Sequence, residues 1–193
     1  MNESSNNTNS ANFGYKKVTE KEKTTLVNNL FTDVTENYDL MNDLMSFGLH
    51  RFWKKYFLLC SNIKKGDKVL DLASGTGDIT KLISNVVGKD GLVISCDINY
   101  SMLNQGRNNL IDSGNIKNVS YVQSDAQALS FNENSFDHVT MAFGLRNTAN
   151  ISKALDSIYR ILKPGGTIQV LEFSKAEKII EKPYKIFLNN FVP

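Results

Sequence analysis

Between residues 66 and 174, short apolar runs alternate with stretches of helical spacing, and few chain architectures accept that rhythm. The runs are 68–73, 92–98, 119–124, 136–143 and 167–174, and the helix-like stretches lie near 78–87, 101–112 and 151–162. In the last stretch Ile151, Ala154, Leu155, Ile158, Ile161 and Leu162 share one face. It meets Lys163, Pro164, Gly165 and Gly166, a basic last turn followed by helix breakers. Residues 126–129, between the third and fourth runs, have room for a turn of helix at most. Strand–helix alternation needs right-handed crossovers and predicts an α/β fold with a doubly wound, mostly parallel sheet. A length of 193 residues suits one such domain, and 41% hydrophobic residues suffice for its core.

The first run ends in VLDLASGTGD (69–78). Gly75 and Gly77, between strand and helix, let a ligand approach the backbone at the carboxyl edge of the sheet. Asp97 ends the second run 20 residues after Gly77, the offset of a carboxylate that grips ribose hydroxyls. Together they predict a site for an adenosine-like cofactor. A dinucleotide fingerprint wants a third glycine where Thr80 stands, and Asp71 and Asp78 flank the turn. Two carboxylates disfavour a pyrophosphate and favour the sulfonium and ammonium of S-adenosyl-L-methionine. Asp78 reads equally as a plain helix cap. Asp125 and Ala126, after the third run, are candidates for the adenine amino group and ring. Arg146 and Asn147 follow the fourth run, where a methyl group would point, and are the polar groups best placed for a substrate.

The remainder narrows the classes. Residues 1–12 are polar and of low complexity, a predicted mobile tail. Residues 13–65 are expected to form a helical cap, with helical spacing from Thr24 to about Leu59 broken at Gly48, and 66–193 the cofactor-binding domain. Lys plus Arg is 22 against 20 for Asp plus Glu, a net +2 that gives no reason to expect nucleic acid. Two cysteines make neither a disulfide framework nor a metal cluster. No apolar run approaches the ~18–20 residues of a membrane span, and no signal or Arg-rich transit pattern is present, so a cytoplasmic setting is expected.

Several blocks taken together resemble the ubiquinone/menaquinone biosynthesis C-methyltransferases: YDLMNDLMSFGLHRFW (38–53), LDLASGTGD (70–78), CDIN and SML within 96–103, AFGLRN (142–147), RILKPGG (160–166) and LEFS (171–174). The first and the FGLRN block are specific to that family; LDLASGTGD and LKPGG are shared by many methyltransferases. The resemblance implies a class I, Rossmann-like fold that uses S-adenosyl-L-methionine to methylate a ring carbon of a prenylated benzoquinol or a demethylmenaquinol. Carried over by position, the donor-binding residues are Thr76, Asp97, Asp125, Ala126 and Ala142 beside the glycine turn. The position of Ala142 is often serine in the family, so only its backbone can contribute. Arg146 is the candidate catalytic residue, to stabilise oxyanion charge or order a water that takes the proton. Tyr38 and Asn147 are the candidate substrate residues. His50 is a lesser option near the cap, and His138 reads as structural.

The resemblance also implies a further helix and two antiparallel edge strands after residue 193, so the chain is expected to be incomplete at its C-terminus. The strand 167–174 would then be an open edge that invites a homodimer, with 184–192 an amphipathic helix. The stretch 38–59 is expected to receive a prenyl chain, with Arg51, Lys54 and Lys55 meeting lipid headgroups in a peripheral contact with the inner membrane. Two alternatives stay open: another small-molecule O- or N-methyltransferase, and an inactive donor-binding fragment.

Overall fold

A computed structural model describes residues 10–14, 16–35, 46, 49–114 and 117–172. The order begins at Ser10: β1 (Ser10–Phe13) pairs antiparallel with β2 (Lys16–Thr19). Residues 10–12, expected in the tail, are therefore strand. Thr19 then starts α1 (Glu20–Val34) through a capping box, its hydroxyl accepting from the Glu22 N–H while the Glu22 carboxylate accepts from the Thr19 N–H. The second cap helix, α2 (Leu49–Leu59), leads down to the main sheet.

Five strands and three helices then alternate: β3 (Lys68–Leu72), α3 (Asp78–Val87), β4 (Leu92–Asp97), α4 (Tyr100–Asp112), β5 (Val119–Gln123), β6 (Phe136–Ala142), α5 (Ile151–Ile161) and β7 (Leu162–Leu171). The sheet order is β5-β4-β3-β6-β7 and each pairing is parallel. The fold is the doubly wound, Rossmann-like α/β sheet that the strand–helix alternation predicts. Its order reverses between β3 and β6, where such sheets open a crevice at their carboxyl ends.

Strand alternation divides the core between the two faces. Leu70, Leu72, Ile94, Cys96 and Met141 pack with Ile158 and Ile161 of α5. Val69 and Val93 point the other way, onto Ile79, Ile83 and Val87 of α3 and Phe57 of α2. Each fully buried aliphatic side chain contributes roughly 1.5–3 kcal/mol, so α2 and α3 are fixed on one face and α5 on the other.

The segment Lys163-Pro164-Gly165-Gly166 does not separate α5 from the last strand as its composition suggests; β7 starts at Leu162. Register explains this. Leu162 pairs with Phe136 and Thr167 with His138, so residues 163–166 bulge out opposite Asp137. Gly165 sits at φ 81°, and Lys163 Nζ donates to Asp137 Oδ1 at 2.7 Å. The turn residues act within the strand. Residues 126–128 form the expected single turn, capped by Asp125. Among the described residues β7 is one edge of the sheet and β5 the other. The tail 184–192 lies outside them, as does most of 36–48.

Candidate active site

The chain leaves β3 in strained backbone. Ala73, Gly75 and Gly77 have φ of 53°, 54° and 88°, the left-handed region that suits glycine and rarely alanine. Gly77 caps α3, and a Cβ there would lie 2.4 Å from Leu110 Cδ1. Gly106 of α4 is as tight, since its Cβ would fall 2.7 Å from the Gly75 carbonyl oxygen. Helix α4 thus presses the turn into shape through a glycine that sequence spacing did not single out. Phe143, after β6, is a second non-glycine residue in left-handed backbone at φ 57°. Ala73 and Phe143 both line one cavity, and strain of this kind clusters at functional sites.

That cavity opens at the carboxyl ends of β3, β4, β5 and β6, with α1 as its outer wall. Asp97 anchors it. Its Oδ2 accepts from the Gly75 N–H at 2.9 Å and its Oδ1 from the Asn99 N–H at 2.8 Å. Burial pushes the Asp97 carboxyl up, and the N–H groups of Asn99, Gly75 and Ile98 pull it back. Asp125 accepts from the Gln127 N–H at 2.9 Å and presents the following Ala126 on the wall. Among the described residues that line the cavity, two are carboxylates and none is Lys, Arg or His. A pyrophosphate would find no cation there; a cationic, phosphate-free adenosyl ligand finds two favourable charges.

Of the residues singled out from sequence, Gly75, Asp97, Asp125, Ala126, Ala142 and Asn147 line this cavity together. Asp71, Thr76, Gly77 and Arg146 do not. Asp71 is fully buried beneath the turn, accepting from the Thr80 hydroxyl at 2.6 Å and the Thr140 hydroxyl at 2.9 Å. Desolvation raises its pKa to about 6, against the pull of both hydroxyls. Asp78 is paired with Lys54 of α2 at 2.7 Å. Asp71 and Asp78, the carboxylates that the sequence suggested for the donor's cationic groups, therefore do not line the cavity, whereas Asp97 and Asp125 do. Thr76 is buried, and its carbonyl accepts from the Asn109 amide at 3.1 Å. Arg146 forms an ion pair with Glu172, which also accepts its backbone N–H at 3.1 Å. His50 is buried, its Nδ1 2.8 Å from Ser46 Oγ. His138 stands between Asp67 and Thr167, at 3.2 and 2.8 Å. Tyr38 lies outside the described residues.

Sequence reasoning missed the α1 wall. Thr24, Val27, Asn28 and Phe31 line the cavity, and the Asn99 amide ties the helix down by donating to the Asn28 carbonyl and to Thr32 Oγ1 at 2.9 and 2.8 Å. The Thr19–Glu22 capping box was the available signal for where this helix starts.

A family model described as the ubiE/COQ5 methyltransferase family matches residues 16–193. The chain belongs to that family. A ubiquinone/menaquinone biosynthesis C-methyltransferase UbiE of Pseudoalteromonas translucida is 53% identical over 182 residues, covering 94% of this chain and 72% of that one. The UbiE of Idiomarina loihiensis is 50% identical over 188 residues, covering 97% and 75%. Among solved structures, a SAM-dependent methyltransferase from Aquifex aeolicus superposes with a TM-score of 0.60 at 23% identity, over 83% of this chain and 87% of that chain. A putative S-adenosyl-L-methionine-dependent methyltransferase from Methanococcus maripaludis gives 0.63 at 18% identity, over 81% and 70%. These likenesses concern the fold alone. As a member of the ubiE/COQ5 family the chain is an S-adenosyl-L-methionine-dependent methyltransferase, and a cavity with two carboxylates among its described lining residues fits that donor.

Proposed function

We propose that this chain methylates a ring carbon of a prenylated quinol, a demethylmenaquinol or a polyprenyl benzoquinol, in menaquinone or ubiquinone biosynthesis. The observation that carries the reading is the cavity itself. It offers carboxylates at the ends of β4 and β5 for a cationic adenosyl donor, and Asn147 with an apolar wall of Val27, Phe31 and Met141 beyond them. Relatives at half identity that bear the UbiE name support it.

When bound, S-adenosyl-L-methionine supplies an electrophilic methyl group on a sulfonium. The protein's part is to hold a carbon nucleophile in line with it, about 3–3.5 Å away. In this reading Asp97 accepts hydrogen bonds from the ribose hydroxyls. Asp125 accepts from the adenine amino group, with the Ala126 N–H facing the ring, and Ala142 contributes backbone alone. Asn147 donates its amide to a quinol oxygen. Arg146, paired with Glu172 and next to Asn147, stabilises the phenolate that makes the ring carbon nucleophilic. The ring proton leaves through water, since a guanidinium is too weak a base to take it.

A prenylated acceptor comes from a lipid phase, and α2 offers a fitting surface. Leu49, Phe52, Tyr56 and Leu59 face outward along one side of the helix, with exposed Arg51 and Lys55 among them. Lys54, expected among the headgroup contacts, is instead buried against Asp78. Among the described residues no helix is long and apolar enough to cross a membrane.

The test is incubation with methyl-labelled donor and, separately, demethylmenaquinol, a polyprenyl benzoquinol and a simple phenol, with the product's new bond assigned by NMR. A carbon-bound methyl on a quinol is expected. An oxygen- or nitrogen-bound methyl, or donor binding with no product from any acceptor, would overturn the proposal.

A further inference from the structure

Lys23 is a buried cation on α1, with 8% of its surface exposed. Its ammonium donates to the backbone carbonyls of Arg146 at 3.1 Å and Thr148 at 2.9 Å. Desolvation holds its pKa below the ordinary lysine value. The two carbonyls flank Asn147, and they lie where the short turn Leu145–Asn147 ends. Carbonyls at such an end lack partners within the turn, and a cation beside them is favourable. A methionine would fill the same volume with less desolvation, but only the ammonium reaches both oxygens.

The turn needs that hold. Before it, Phe143 has left-handed backbone, and a Cβ on Gly144 would strike the Ala73 Cβ at 2.5 Å. Within it, the Asn147 N–H reaches the Gly144 carbonyl at 3.0 Å and the Thr148 N–H reaches that of Leu145 at 3.2 Å. The Asn147 side-chain amide reaches the Phe143 carbonyl at 3.4 Å, too long to fix its direction.

Helix α1 in turn is seated by polar contacts more than by apolar burial. Val27 is its buried apolar residue, whereas Leu26 and Leu30 are 40% and 50% exposed. Glu20 accepts from Asn150 and Lys153 at 2.9 and 3.1 Å at one end, and Asn99 holds the other. Lys23 thus joins the helix that walls the cavity to the turn that carries Asn147.

We propose that Lys23 is a positioning residue for methyl transfer: it holds residues 146–148 against α1 and so fixes Asn147 on the cavity wall. The proposal rests on the reading of this cavity as the site of transfer, and the experiment separates the two.

Hydrogen exchange is measured on the 193-residue chain as wild type, Lys23→Met and Lys23→Arg. In the methionine variant the Asn147 and Thr148 amides should exchange at least tenfold faster, with those of Ile83 and Val93 unchanged. The arginine variant should stay within threefold of wild type. In the methyl-transfer assay Lys23→Met should lower kcat at least tenfold and move the donor KM less than threefold. Made in an Asn147→Ala background, it should cost less than a further twofold. Unchanged exchange in the turn would overturn the proposal, as would effects of the two substitutions that multiply independently. If the methionine variant does not fold, Lys23→Gln, which keeps a donor, takes its place with the same amides faster than wild type. A wild-type chain that binds donor and transfers no methyl overturns the proposed function, while the exchange arm still decides whether Lys23 holds the turn.

Discussion

Asp97 and Asp71 are two buried carboxylates one strand apart, and their surroundings give them different work. Asp97 takes two backbone N–H groups and faces the cavity. Hydrogen bonds to a charged group are worth roughly 1.5–3 kcal/mol, so Asp97→Ala should weaken donor binding about 10- to 150-fold, read by calorimetric titration. Asp71 faces α3 and, among the described residues, accepts from the hydroxyls of Thr80 and Thr140. In the folded chain it keeps its proton up to about pH 6, whereas an unfolded aspartate releases it near 3.8. Between those values the folded state binds more protons, so this carboxyl makes stability fall as pH rises. Asp71→Asn removes that dependence, and its melting temperature relative to wild type should climb from pH 4 to pH 7. Parallel melting curves across that range would show that Asp71 is already ionised. Strand parity does not contain this distinction, since Asp71 shares the face of Val69 and Asp97 that of Val93, and these two valines pair side by side. What the sequence does not contain is the path of the turn, which decides that Asp97 and not Asp71 or Asp78 lines the cavity. Arg146 was legible as a polar group after β6, but its partner Glu172 lies 26 residues on and no spacing rule joins them. Arg146→Ala should reduce turnover far more than donor affinity; a turnover within about twofold of wild type, a difference of ~0.4 kcal/mol, would leave Arg146 as an ion-pair residue only.

At the scale of elements, the helices that cross over the parallel sheet were legible one by one, and the cap only as a helical stretch from Thr24 to about Leu59, without the bounds of α1 or its place on the cavity. The 3.6-residue period of α5 is a local property, visible in any window. Helix α1 carries few apolar residues on its buried side, because Lys23, Asn28 and Thr32 seat it through hydrogen bonds to distant carbonyls and to Asn99. Hydrophobic periodicity cannot register such a helix. The α2 face is the converse case, apolar residues that point outward: Phe52 is 64% and Leu59 82% exposed, and Phe52 stacks on Tyr56 at 6.4 Å. If this face meets lipid, the chain should float with vesicles containing anionic phospholipid, and Phe52→Ser with Leu59→Ser should leave it in the soluble fraction with its donor affinity unchanged. Equal flotation of wild type and double variant would place the lipid contact elsewhere.

Over the whole molecule the alternation of strands and helices dictates a parallel sheet with right-handed crossovers, while the order β5-β4-β3-β6-β7 is a finding of the structure, since doubly wound sheets occur in more than one order. The site follows from that order: reversal between β3 and β6 opens a cleft, and the ends of β4 and β5 bring their aspartates to it. The central claim is that this cleft, acidic and without a cation among the described residues that line it, is built for a methyl donor and against phosphate. Titrating the 193-residue chain with S-adenosyl-L-methionine and, separately, with a nicotinamide dinucleotide tests it most directly. The account predicts one donor bound per chain, weakened at least tenfold by Asp97→Ala, and no detectable dinucleotide binding at the same concentrations; a dinucleotide that binds as tightly as the donor, or a donor indifferent to Asp97, would contradict it.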